Sequence, residues 1–259
     1  MSMPTVIFGP PDSMPYTIST GVAANRQKSN LLPLGIQLVM QDGRKFRHVM
    51  NGGVLLVVGN VISSATPIST DEDLTPAAGA VGDRLITFTH GAATTIANYF
   101  SEGYAVISVT PGGGDTYMID NHLALTNNTA GDIVRLGPGH ALRRALTTVS
   151  RVDLAASPYA YVIQDPVTTK ASLAVGVAVS AITATTGAGF IQTRGPCGVL
   201  TDDTVIGGNR VCVPSAAAGA AGPETAVAAN SAIEVTIGHV MLVAANAAWS
   251  TLFLNFDGD

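Results

Sequence analysis

Glycine-bearing turn dipeptides cut this chain into apolar runs that are short and rich in β-branched residues, and that spacing constrains its fold more than any other feature. In "LGIQLVMQDGRKFRHVMNGGVLLVVGNVI", Asp42-Gly43 and Asn51-Gly52-Gly53 separate three such runs. Asp-Gly and Asn-Gly supply the positive φ angles that tight hairpins require, so strands are expected at about 34–40, 44–50 and 53–62, joined as a meander. "DRLITFTHG", "GYAVISVTP" and "DTYMIDNHLAL" repeat the pattern, with Gly112-Gly113-Gly114 as a further turn. That triple glycine lacks the strand-to-helix setting and the downstream Lys-Ser/Thr of a phosphate loop.

Later strands are expected near 189–194, 197–201, 210–214, 234–244 and 251–256, and another after Ser157-Pro158. "LAVGVAVSAITA" is almost entirely small or β-branched and reads as a strand buried on both faces. Residues 171–191 are long enough to span a bilayer, but Ser, Thr and Gly among β-branched residues, running directly into Gln192 and Arg194, favour a strand. One short helix is expected at Ala141–Val149. Residues 63–82 read as a surface loop whose Asp71-Glu72-Asp73 run forms its solvated tip. Short strands at regular spacing with very little helix predict an all-β protein of sandwich or barrel-like lobes built from short antiparallel strands. The expected organisation is an extended N-terminal arm at 1–30, a first β-rich lobe at 31–140 and a second at 141–259. The arm has no sustained hydrophobic period, and its apolar residues Val6, Ile7, Phe8 and Tyr16 are its expected anchors on a neighbouring subunit.

Only 12% of the 259 residues are charged, about half the usual share, while 47% are hydrophobic. Much of the surface must therefore be neutral. Covering Ala, Thr and Val with a partner costs far less desolvation than covering Lys or Glu, so the composition suits assembly. A net charge of −5 argues against a nucleic-acid footprint, which needs a basic face. The proline-broken N-terminus is unlike a secretory leader, so synthesis in the cytoplasm is expected, with no membrane partner.

No residue pattern amounts to a catalytic, cofactor or metal site. Cys197 and Cys212 lack ligand-spaced histidines, and a cysteine nucleophile would need a histidine supplied by the fold; buried free thiols are expected. Asp202 and Asp203 lie between apolar runs, where aspartates shape turns, and they lack the alternating oxygen ligands of a calcium loop. Arg143 and Arg144 fit solvation, or a salt bridge to a neighbour's acidic loop, better than a phosphate contact.

Four segments, in order, resemble a group of virion structural proteins of tailed bacteriophages: "QDGRKFRHVMNGGVLLVVGNVI", "TTVSRVDLAASPYAYVIQD", "VGVAVSAITATTGAGFIQTRGPCGVL" and "IGHVMLVAANAAWSTLFLNFD". The likeness runs from about residue 35 to the C-terminus, and "GFIQTRGPCGVLTD" is its most specific mark. Arg194 stands where that group commonly has an aromatic residue. The resemblance implies a non-enzymatic decoration or cement protein on the outer surface of the capsid. Its expected partners are the major capsid protein, whose capsomers it would bridge, and further copies of itself, with a homotrimer as the expected assembly. The alternatives are a tail, fibre or baseplate component, and a host-polysaccharide hydrolase, which would need paired carboxylates across a groove.

Overall fold

The computed structural model describes residues 6–9, 18–19, 32–167, 172–183, 187–213, 217–224 and 235–257. It is all-β, as the turn spacing predicts, and its lobes are barrel-like. In chain order the strands are β1 (Val6–Gly9), β2 (Ile18–Ser19), β3 (Gln37–Met40), β4 (Lys45–Met50), β5 (Val61–Ser63), β6 (Thr75–Pro76), β7 (Leu85–Thr89), β8 (Tyr104–Val109) and β9 (Thr116–His122). They continue as β10 (Ala130–Leu136), β11 (Arg151–Ala155), β12 (Ile163–Gln164), β13 (Ala174–Ala178), β14 (Gly187–Thr201), β15 (Arg210–Val213), β16 (Gly222–Pro223), β17 (Val235–Leu242) and β18 (Ala248–Asn255).

The chain forms two compact units. One contains the described residues up to Thr66 and from Pro158 onward; the other contains 67–157. The boundary expected near residue 140 therefore falls inside the second unit. A linear reading of composition cannot see that the chain leaves the first unit at Thr66-Pro67 and re-enters it at Ser157-Pro158.

In the first unit everything converges on β14. One edge pairs with β4 from Ala188↔Met50 to Arg194↔Lys45. The other edge meets β2, then β13 at Gln192↔Val177, then β18 from Arg194↔Asn255 to Thr201↔Ala248. The two strands expected at 189–194 and 197–201 are thus one, continuing through Gly195-Pro196. Gly195 makes this continuation possible with φ +88, a conformation costly for any side chain, and a Cβ there would meet Arg44 Cγ at 3.0 Å. Buried Gln192 secures the corner: its amide donates to Arg194 O (3.0 Å) and Pro196 O (2.8 Å). The path β14-β18-β17-β15-β16 then returns to β14, because Ala221 bridges Thr201 and donates its N–H to Leu200 O at 2.8 Å. Val199, Val211, Ile237, Leu252 and Leu254 fill this ring. As expected, β13 is buried at all five positions.

The C-terminal end closes over β4 and β14. Asp257 accepts from Arg47 Nη2 at 3.1 Å and from Thr193 Oγ1, while Arg47 also donates to Gly35 O and lies over the Tyr159 ring.

The second unit is a six-stranded sheet in the order β11-β8-β9-β10-β7-β6, antiparallel throughout. It curls until its edges meet, where Leu74 and Val152 exchange two backbone hydrogen bonds of 3.0 Å. Alternation sends Ile86, Phe88, Ile107, Tyr117, Ile119 and Val134 inward, and Phe100 enters the same core from a loop.

Three local expectations are corrected here. Ala141–Val149 is not helical: Leu142 N donates to Asp83 O, Leu142 O accepts from Gly82 N–H, and Leu146 exchanges bonds with Gly79. Both leucines are buried against the barrel, and a nine-residue helix has little intrinsic stability to oppose that. Of the strand expected at 53–62, only Val61 onward is strand, and residues 53–58 form an irregular loop. The supposed loop at 63–82 includes β6, a 3-10 turn at Ser69–Asp71 and the fully buried Asp71.

Replacing Gln192 with Leu removes both side-chain donations at the β14 corner and is expected to cost about 1–3 kcal/mol. Urea denaturation followed by Trp249, the chain's one tryptophan, reports this in the first unit.

Candidate interaction surface

Strand alternation sorts β14, β18 and β17 into an inner and an outer face. Cys197, Val199, Leu252, Leu254 and Val240 point into the core. The intervening positions place Pro196 beside Phe253, Leu200 beside Trp249, and Phe253 beside His239 on the outside. This outer face is unusually apolar for a solvated surface. Trp249 is 59% exposed, Leu242 67% and Val54 61%, and Leu55, Val57, Val58, Met241, Val243 and Phe253 are also exposed.

Local geometry links the 53–58 loop to this face. Gly59 O, just past the loop, accepts the Leu200 N–H at 2.8 Å, while Leu56 within it exchanges backbone bonds with Ile182. The Trp249 indole donates to Val58 O at 3.3 Å and lies over Gly59, where a Cβ would stand 2.3 Å from Nε1. Val58, Val179, Pro196, Gly198 and Trp249 then surround a shallow hollow of about 370 Å³. Among its lining residues the single charged group is Arg44, held by Asp42 at 2.6 Å. The Arg44 N–H, and then this guanidinium contact, hold the Asp42 carboxyl below the usual carboxylate range. Exposed apolar side chains around a tryptophan, with one paired arginine at the hollow, are equipped for protein contact, because covering them removes apolar area from water with little hydration stripped from charge.

The residues singled out from the sequence are dispersed. Val6, Ile7 and Phe8 lie in β1, whose backbone pairs in parallel with β3 of the same chain at Val6↔Gln37, Ile7↔Leu38 and Phe8↔Val39. Tyr16 lies outside the described residues. Cys197 and Cys212 are buried free thiols, and burial pushes the Cys197 thiol up to about 12. So little thiolate exists at neutral pH that nucleophilic attack from this sulfur is suppressed. Asp202 accepts Ala217 N–H at 2.6 Å and Asp203 accepts Thr204 N–H at 2.7 Å, so both organise turns.

The two arginines are exposed, as solvation predicts, and their polar contacts lie within the chain. Arg144 pairs with Asp115 at 2.9 Å and donates to Gly112 O and Gly113 O; Arg143 gives its N–H to the Tyr117 hydroxyl and its guanidinium to the Tyr117 ring. Arg144 thereby holds the triple-glycine turn within one chain. Arg144 also keeps the Asp115 carboxyl below its ordinary range.

The acidic run is likewise divided: Asp73 reaches Arg151 at 3.3 Å, while Asp71 receives His90 Nε2 at 2.6 Å and Thr95 Oγ1 at 3.3 Å. The Asp71 and His90 side chains have no exposed surface, so this pair has no route to a substrate. Among the described residues, no group of three or more His, Cys, Asp or Glu side chains is placed to hold a metal ion. No helix among them is long and apolar enough to cross a membrane.

The apolar outer face is the feature that the sequence reading missed. Its signal was present in "VLLVV" and "MLVAANAAW", but an apolar run reads as core until the fold shows which phase faces outward. No protein-family model, curated protein or solved structure matches the chain.

Native protein treated with a thiol reagent at pH 8 is expected to leave both cysteines unmodified on the timescale in which urea-unfolded protein reacts completely. Rapid modification of Cys197 in the folded state would contradict its burial.

Proposed function

We propose that this protein is a non-enzymatic structural component of a tailed-phage virion, decorating the outer surface of the assembled head and bridging capsomers of the major capsid protein. The observation that carries the reading is the neutral apolar face formed by β14, β17, β18 and the 53–58 loop. The order of virion-like segments along the chain supports it independently. Closed sheets give such a face rigid backing, so little conformational entropy is lost when a partner covers it. Each copy needs only modest affinity. Once one contact to the shell forms, later contacts are intramolecular and raise avidity by roughly a hundredfold or more. Assembly as a trimer would multiply these contacts, and residues 1–28, with Val6, Ile7, Phe8 and Tyr16, would add an intersubunit contact.

Cryo-electron microscopy of intact virions tests the placement. Repeated density over the shell at capsomer junctions is expected. Density restricted to the tail or to one vertex would overturn the head assignment in favour of a tail, fibre or baseplate component.

Leu242→Glu tests the face itself. The side chain is 67% exposed, so the substitution should leave folding unchanged while lowering occupancy on heads at least tenfold, because a carboxylate must be desolvated on contact. Deleting residues 1–28 should also lower occupancy, measured by quantitative gel analysis of purified heads, with the circular-dichroism spectrum still β.

A further inference from the structure

His122 ends β9 and is 4% exposed, and both of its ring nitrogens are committed to backbone partners. Nε2 accepts the Phe100 N–H at 3.0 Å, and that acceptor role places the ring proton on Nδ1, which donates to Leu123 O at 2.6 Å. The neutral ring is therefore the form that fits. Its main chain is engaged with the same loop: His122 O accepts Asn98 N–H at 3.0 Å, and His122 N–H donates to Asn98 Oδ1 at 3.1 Å. Ser101 Oγ donates to Asp120 O and Glu102 N to Ile119 O, further attaching residues 98–102 to β9.

The loop held this way includes two left-handed residues. Asn98 and Glu102 have φ of 61° and 62°, left-handed values that side-chain-bearing residues adopt at a cost. Between them, Phe100 is 2% exposed in the barrel core, with its ring centroid 5.6 Å from that of His122.

We propose that His122 is an acid-released latch: a second proton on its ring converts the acceptor for Phe100 N–H into a donor, and residues 98–102 leave β9, withdrawing Phe100 from the core of the second unit.

Burial favours the closed, neutral state, and the charged and titratable groups around the ring are divided. Burial is the main cause that lowers the His122 pKa from 6.5, reinforced by His90 at the end of β7 and opposed by Leu123 O, by Asp71 on the 3-10 turn and by Asp132 on β10. Tyr99, on the loop, stays protonated, because burial and Asp71 raise its pKa. A depressed histidine pKa stabilises the closed form above 6.5, and that contribution is lost as pH falls through the folded-state value. Opening is therefore expected below pH 6.5.

Hydrogen exchange of the full-length protein between pH 8 and 5, corrected for intrinsic rates, tests the latch. Protection of the Phe100 and Glu102 amides should fall at least tenfold below pH 6.5, while Trp249 emission, which reports the first unit, stays constant. In His122→Gln the amide oxygen can accept the Phe100 N–H and does not titrate, so the pH dependence should disappear. Loop protection that persists in the wild type, or an unchanged midpoint in His122→Gln, overturns the proposal. So does loss of the transition in His90→Gln with its retention in His122→Gln. Should His122→Gln fail to fold, NMR of the wild-type imidazole decides: titration of His122 without concurrent change at Phe100 rejects the latch.

Discussion

The backbone pairing of β14 is the constraint on which the first unit depends. A single fifteen-residue strand hydrogen-bonds to β4 along one edge and to β2, β13 and β18 in succession along the other. A strand shared so widely would normally run straight, yet this one contains Gly195-Pro196. Proline has no N–H to give a ladder, and glycine at positive φ shifts the register. The strand remains continuous because the buried Gln192 amide supplies donors to the Arg194 and Pro196 carbonyls at the irregularity. The side chain replaces ladder bonds that the corner cannot make.

Closure is the second shared principle. In each unit a sheet bends until non-sequential segments meet, through Ala221 and Thr201 in the first and Leu74 and Val152 in the second. Closing a sheet removes exposed edges that would otherwise template unwanted pairing. A low-charge chain benefits particularly, having few lysines to blunt an edge. Exposed apolar side chains remain available for contact, and on the first unit they include Trp249, Phe253, Leu242 and residues of the 53–58 loop. The proposed role on a capsid uses this surface directly. The second unit spends its buried polar groups differently: Asp71-His90-Thr95 and His122-Phe100-Leu123 pin irregular segments to the barrel, where the low dielectric makes each bond matter and each lost partner costly.

The sequence by itself determined the all-β class, because Asp-Gly, Asn-Gly and triple-glycine turns act over a few residues and their conformational demands are local. Strand positions such as 45–50, 85–89, 104–109 and 116–122 followed from apolar runs bounded by turn residues, and the burial of β13 from its unbroken run of small and β-branched residues. Only the tertiary structure decided what depends on distant partners. Leu142 and Leu146 give up a helix for bonds to Gly79, Gly82 and Asp83; Asp71 leaves an acidic run to meet His90; Gln192 joins two apparent strands into one. The same holds for the unit boundary, since an inserted segment is continuous in sequence with the unit that it interrupts. It holds most of all for the apolar surface: Val199 and Leu200 are neighbours of similar character, and only the closure of the sheet determines that one enters the core and the other lies beside Trp249 on the outer face.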